Sequence, residues 1–169
     1  MEIITNNTRK IKINQKKIES SLNIKLNIKG RKIIAEGEQI NLFIAEKVFE
    51  AIEAGFSVRI ALFLANEDYL LEKLSIKNLT KRKNLNQVRA RLIGKHGETR
   101  ELLEELSDCF IKIHGNEVYI IGRVENIKSA INSVQRIIQG SKQSSVYSYL
   151  EKQRKIYRED DLGLKIKQR

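Results

Sequence analysis

With 169 residues, 41% of them hydrophobic, the chain can bury one sizeable core or two small ones packed together. No apolar run approaches the roughly 18 residues of a membrane span, and no signal-peptide pattern opens the chain. The single Cys109 lies in a strand pattern and reads as a small buried hydrophobe, so a reducing, cytoplasmic setting is expected. The net charge of +11 is unevenly placed: residues 77–100 hold eight basic side chains against one acidic, whereas 38–76 and 101–141 are net acidic. A basic concentration of this kind suggests a phosphate footprint rather than a coat for solubility.

In the first half, Ile24 to Ile28 and Ile33-Ile34 read as two strands joined by a turn at Gly30, after a helix around Ile18-Glu19. Ile40 to Ala54 follows as a helix whose apolar face is Ala45, Val48, Phe49 and Ile52. Ser57 to Asn78 connects this half to the next. Its Ile60, Leu62, Phe63 and Leu64 are too apolar for a free linker and are expected to pack between domains, making the two halves one rigid body.

The second half opens on Lys81-Arg82-Lys83, which is either a solvated linker or part of the phosphate footprint. Val88 to Leu92 reads as a strand. Arg91 to Arg100 then reads Arg-Leu-Ile-Gly-Lys-His-Gly-Glu-Thr-Arg, a Gly-x-x-Gly loop between an apolar lead-in and a helix pattern. Glycines at 94 and 97 let the backbone approach a phosphate chain closely and turn sharply into the helix. The helix start offers unpaired N–H groups and a favourable dipole to an anion. Lys95 and His96 form the tip, and Arg91, Arg100 and Ile93 flank it, with Ile93 a candidate for the apolar wall of a base-binding groove. Leu102, Leu103 and Leu106 carry the helix. Cys109 to His114 and Glu117 to Ile121 are strands across a Gly115-Asn116 turn, the second ended by Gly122. Val124, Ile127, Ile131, Val134 and Ile138 make one long apolar helix face, stopped by Gly140.

Strand, helix pair, strand, strand, helix with this loop resembles a type I KH domain, a module whose Gly-x-x-Gly loop clamps about four backbone nucleotides. Arg-Leu-Ile-Gly-Lys-His-Gly-Glu-Thr-Arg with Glu104-Glu105-Leu106 resembles the second KH domain of the archaeal and eukaryotic pre-rRNA processing factors, relatives of the Krr-type proteins. The helix around Val146 to Lys155 and the Ala54-Gly55-Phe56-Ser57 stretch are also similar to that family. The resemblance implies an α+β fold of two tandem type I KH-like domains, each a three-stranded sheet with helices on one face, plus a C-terminal helix. The first half repeats the second half's order of helix, two strands and helix, so the chain divides into residues 1–76, 77–141 and 142–169, and the loss of periodicity from Arg158 marks a frayed basic tail. The resemblance further implies binding to the 3′ region of small-subunit rRNA during ribosome assembly. Its implied partners are a PIN-type endonuclease or the alpha subunit of initiation factor two.

Where the first domain should carry its loop, the chain reads Thr8-Arg9-Lys10-Ile11-Lys12 without a glycine, so this copy is expected to have lost the clamp. RNA contacts are accordingly assigned to Arg91, Ile93, Gly94, Lys95, His96, Gly97 and Arg100, with Lys81, Arg82, Lys83 and Arg89 as auxiliary basic groups. No carboxylate is spaced to orient His96 or His114 for acid–base cleavage. One Cys and two His give no metal-ligand spacing, and Gly94-Lys95 is not followed by the Ser or Thr of a nucleotide-hydrolysing phosphate loop. The expectation is therefore an RNA-binding protein with no cofactor and no catalysis, or else an adaptor whose main partner is a protein. Glu98, Glu101, Glu104 and Glu105 read as a solvated helix face, and Tyr147, Tyr149 and Tyr157 as packing groups.

Overall fold

A cut between Leu71 and Glu72 divides the computed structural model, which describes residues 1–161, into two units. The first begins with β1 (Glu2–Ile4), α1 (Thr8–Ile13), α2 (Gln15–Leu22), β2 (Lys25–Lys29), β3 (Lys32–Glu36) and α3 (Gln39–Glu53). Its antiparallel sheet has the order β1-β3-β2, with Leu26 opposite Ala35 and Ile3 opposite Ile33. Alternation along β2 and β3 turns Leu26, Ile33 and Ala35 inward, and the helices bury Ile11, Ile18, Val48, Phe49 and Ile52. The anticipated α3 face is buried in full. Strand β1, at three residues, is too short to leave a periodic signal in the sequence.

The connector opens with a short helix and a 3₁₀ turn. Its α4 (Val58–Ala61) and the 3₁₀ turn Leu62–Ala65 pack on α3, inside the first unit, with Ala61 and Leu64 buried. Ser57 caps α4 by accepting a hydrogen bond from the Ile60 N–H at 3.3 Å.

The second unit contains β4 (Tyr69–Ser75), which the cut divides, then α5 (Ile76–Leu79), α6 (Leu85–Ile93), α7 (Glu98–Ser107), β5 (Cys109–His114), β6 (Glu117–Arg123), α8 (Val124–Gln139) and α9 (Gln143–Asp161). The sheet order is β4-β6-β5, and β5 and β6 form the expected hairpin with Ile111 opposite Ile120. The expected strand at Val88 to Leu92 is wrong: these residues lie in α6, and the first strand is Tyr69–Ser75. Val-Arg-Ala-Arg-Leu alternates like a strand, yet Val88 and Leu92 are also four apart, and as a helix they bury side by side. Nor does Gly122 end a strand, since β6 continues to Arg123. Val124, assigned to the buried face of α8, is 52% exposed, while Ile127, Val134 and Ile138 are buried. Val146 and Leu150 of α9 are fully buried in the same core as Val88, Leu103 and Ile120, so α9 is part of the second unit. It is helical through Asp161, beyond the point where a tail was expected; the rest of that expected tail, 162–169, lies outside the described residues.

The two units share one register, 85 positions apart. Gly30 and Gly115 both take positive φ (60° and 58°) in the hairpin turns, and Asn23 and Asp108 both end a helix in the left-handed region. The Glu19 carboxylate accepts from the Leu26 N–H at 2.8 Å, and Glu104 accepts from the Ile111 N–H at 2.6 Å. In each unit a helix carboxylate thus satisfies an outward-facing amide of the neighbouring edge strand. Glu104 is therefore not simply part of a solvated face.

Candidate nucleic-acid interface

The loop between α6 and α7 is built by three backbone conformations in sequence. Gly94 ends α6 at φ 76°, ψ 175°, a combination open essentially to glycine alone. His96 follows in the left-handed region at φ 52°, ψ 19°, and Gly97 at φ 89°, ψ 1° starts α7. The turn closes on itself through Gly97 N–H donating to Gly94 O at 3.3 Å, while Gly94 N–H donates to Ala90 O at 2.8 Å. A Cβ at Gly94 would come within 2.7 Å of the backbone N and Cβ of Thr99, so the absent side chain is also a packing requirement. Lys95 and His96 stand exposed at the tip. At the start of α7 the Gly97 N–H is taken up by Gly94 O and the Glu98 N–H by Lys95 O, so what the helix start offers an anion is chiefly its dipole beside the exposed tip.

The arginines divide differently from the expectation that both flank an anion. Arg91 donates from Nη2 to Ser141 O at 2.7 Å and from Nη1 to Ile137 O at 3.4 Å, so it satisfies carbonyls at the end of α8. Arg100 pairs with Glu101 at 3.2 Å and Glu104 at 3.7 Å on its own helix. Arg82 lies beside Gly140, where an added Cβ would come within 2.9 Å of its Nη2; it too complements the C-terminal end of α8. Arg89 reaches across to the β5–β6 turn, donating from Nη1 to Gly115 O at 2.9 Å and to Asn116 Oδ1 at 3.1 Å, and from Nη2 to Asn86. Lys81 and Lys83 are exposed, and Lys83 borders an open depression with Asn84, Asn86, Arg89 and Asn116. Ile93 is 39% exposed immediately before Gly94, whereas Ile111 is core and Ile113 packs partly against it.

Two residues outside the motif support the loop from behind. Thr99 is buried, and Gln143 at the start of α9 donates from Nε2 to Thr99 Oγ1 and to Arg91 O, each at 3.0 Å. A threonine two residues after the second glycine is a readable signal; Gln143, far along the chain, offers none. In the first unit, residues 8–13 form α1 with Ile11 fully buried, so no loop projects there. His114 is exposed at the end of β5. The Tyr149 ring is covered by the Arg136 guanidinium at 4.4 Å, and its hydroxyl accepts weakly from Asn132. Among the described residues, no group of three or more His, Cys, Asp or Glu could hold a metal ion, and no helix is long and apolar enough to cross a membrane.

Residues 70–155 match a family model described as a eukaryotic type KH-domain (KH-domain type I), the second such domain of PNO1. The chain belongs to the PNO1/Dim2 family of KH proteins. A KH domain-containing protein of Methanocaldococcus jannaschii is 29% identical over 147 residues, which are 83% of this chain and 65% of that one. The pre-rRNA-processing protein pno1 of Emericella nidulans is 28% identical over 140 residues, 78% of this chain and 54% of its own length. The chain thus spans about half to two thirds of these curated relatives. In the crystal structure of the a/eIF2alpha–aDim2p–rRNA complex from Pyrococcus horikoshii OT3, one chain superposes with a TM-score of 0.79 at 27% identity. The match covers 92% of this chain and 94% of that one. The α+β class and the tandem three-stranded sheets expected from the sequence hold.

Proposed function

We propose that this protein binds single-stranded rRNA through the Gly94–Gly97 loop and acts, without catalysing a reaction, in processing or assembly of the small ribosomal subunit. The observation that carries the reading is the loop itself. Gly94 in a glycine-only conformation and Gly97 in the left-handed region hold Lys95 and His96 outward at the N-terminus of α7. Phosphate oxygens meet the helix dipole and a lysine charge there, and Ile93 offers an apolar contact to a base. The names of the relatives support the rRNA class: one is a pre-rRNA-processing protein, and another was crystallised with rRNA. Of the residues assigned to RNA, Ile93, Gly94, Lys95, His96 and Gly97 are the ones this reading retains as direct contacts. Arg91, Arg100, Arg82 and Arg89 shape the surface around them, and Lys81 and Lys83 add diffuse charge. The partner proposed to act on RNA held here is a PIN-type endonuclease. A second reading, an adaptor for the alpha subunit of initiation factor two, is favoured by the presence of that protein in the archaeal complex.

The test is the double substitution Lys95→Asp with His96→Asp. It removes a positive charge and places two carboxylates where the helix N-terminus would receive phosphate. Without the charge-assisted hydrogen bonds to phosphate at this point, affinity for a single-stranded small-subunit rRNA fragment should fall by about tenfold or more. Circular dichroism and melting temperature should hardly move, because both side chains are exposed. A folded double variant that binds with wild-type affinity would make the loop a mere turn and promote the adaptor reading.

A further inference from the structure

Both ends of the glycine loop are tied to the start of α9 by one side chain. Gln143 Nε2 donates to Arg91 O, in the last turn of α6, and to Thr99 Oγ1, in the first turn of α7, each at 3.0 Å. Thr99 is the residue against which Gly94 packs with no room for a Cβ. Arg91 closes the arrangement by donating to Ser141 O at 2.7 Å, at the α8–α9 junction itself. Val146 and Leu150, fully buried one and two turns further on, anchor α9 and fix where Gln143 sits. Loop side chains at the tip do not contribute to this support; it comes from a residue 46 positions beyond Gly97 in sequence.

We propose that Gln143 is the positioning residue of the RNA clamp: by holding Arg91 O and Thr99 Oγ1 together, it fixes the spacing of the α6 and α7 ends and so presents the Gly94–Gly97 backbone in its phosphate-binding shape. The proposal rests on the RNA-binding reading of the loop. The physical reason is that a loop with two glycines is costly to order. A clamp that is already ordered before RNA arrives binds more tightly than one that must be ordered by RNA. Gln143 bonds both flanks of the loop and lies on its protein side, so it supplies order without a contact to the ligand.

The experiment compares Gln143→Met, which keeps length and apolar bulk but cannot donate, with Thr99→Val and Thr99→Ser. Binding of a single-stranded small-subunit rRNA fragment and thermal melting are measured on the same preparations of the full chain. Gln143→Met and Thr99→Val should each weaken binding about three- to tenfold, with melting far above the assay temperature. Thr99→Ser, which retains the accepting hydroxyl, should bind like wild type. Combining Gln143→Met with Thr99→Val should cost little more than either alone, as expected for two ends of one bond. If the Lys95→Asp, His96→Asp protein loses binding but Gln143→Met retains it, the clamp reading stands and the positioning role is overturned. Additive losses in the double variant, or loss equally in Thr99→Ser, would also overturn it. If none of the variants, including the loop-tip pair, changes binding, the failure lies with the RNA-binding reading itself. Should Gln143→Met fail to fold, the valine–serine contrast at Thr99 decides alone.

Discussion

Gly122 faces Cys109 across the β5–β6 pair, and a Cβ there would stand 3.2 Å from the Cys109 Cβ and closer still to its sulfur. The equivalent pair in the first unit is Gly37 with Ile24, where the added Cβ would reach 2.9 Å from Cγ2. A glycine in a strand usually weakens it; here it makes room for the inward side chain opposite. Gly122→Ala should therefore destabilise the protein by about 1–3 kcal/mol, the usual cost of overpacking, read from denaturant melts. In a Cys109→Ala background the same change should cost distinctly less, and equal costs in both backgrounds would show that the contact is not the cause. Burial also pushes the Cys109 thiol up to about 12, which removes the thiolate needed for reactivity at neutral pH. His96 represents a different constraint: left-handed backbone at a residue with a Cβ costs about 1–2 kcal/mol, and the glycines on either side of the tip fix it there.

At the scale of elements, the recurrent device is a helix carboxylate on a strand-edge amide, and it makes a prediction for pH. Glu19 accepts from the Gln15 side-chain amide at 3.0 Å and from the Leu26 N–H at 2.8 Å, and these bonds hold its carboxyl below the usual range. Both favour the ionised form. A group depressed in the folded state contributes stability that is fully present above its unfolded pKa, near 4.5, and is lost as pH falls through the lower folded value. Glu19→Gln should thus flatten the acid limb of stability from about pH 4.5, the unfolded value, down to the folded pKa, with the full difference from wild type present at neutral pH. Melting temperatures taken at steps from pH 7 to pH 3 check it. Such tertiary bonds also mark what the sequence could reveal. Helices α3, α7 and α8 and the β5–β6 hairpin are legible because their apolar periods and glycine turns are local. Strand β4 is not, since Tyr-Leu-Leu-Glu-Lys-Leu-Ser has no clean alternation and is only partly buried along its length. Helix α6 reads as a strand because Val88 and Leu92 satisfy both a two-residue and a four-residue period. The loop glycines stand out by motif. The roles of Arg91 and Gln143 depend on partners about 50 positions away and leave no local trace.

The whole molecule carries two copies of one plan, and only one retains the projecting loop. Across the 85-residue register, Gly94 to Gly97 correspond to Arg9, Lys10, Ile11 and Lys12. The second glycine's position is filled by a lysine, the first by an arginine, and the tip histidine's by an isoleucine that is fully buried. Burying Ile11 drives residues 8–13 into α1, and a helix in this place cannot press its backbone against a phosphate chain. What remains in the first unit is charge: Arg9, Lys10 and Lys12 are exposed. Charge alone attracts any RNA and reads none. Replacing all three with Ala in the full chain should therefore weaken binding modestly and alike for matched and scrambled rRNA fragments. Each phosphate left without its basic side chain should flatten the slope of log affinity against log salt by about 0.7 for a single strand. Titrations at several salt concentrations with both fragments measure the slope and the preference together. Loss of preference for the matched fragment, with the second unit intact, would mean that the first unit reads bases and that the two copies share recognition rather than dividing it.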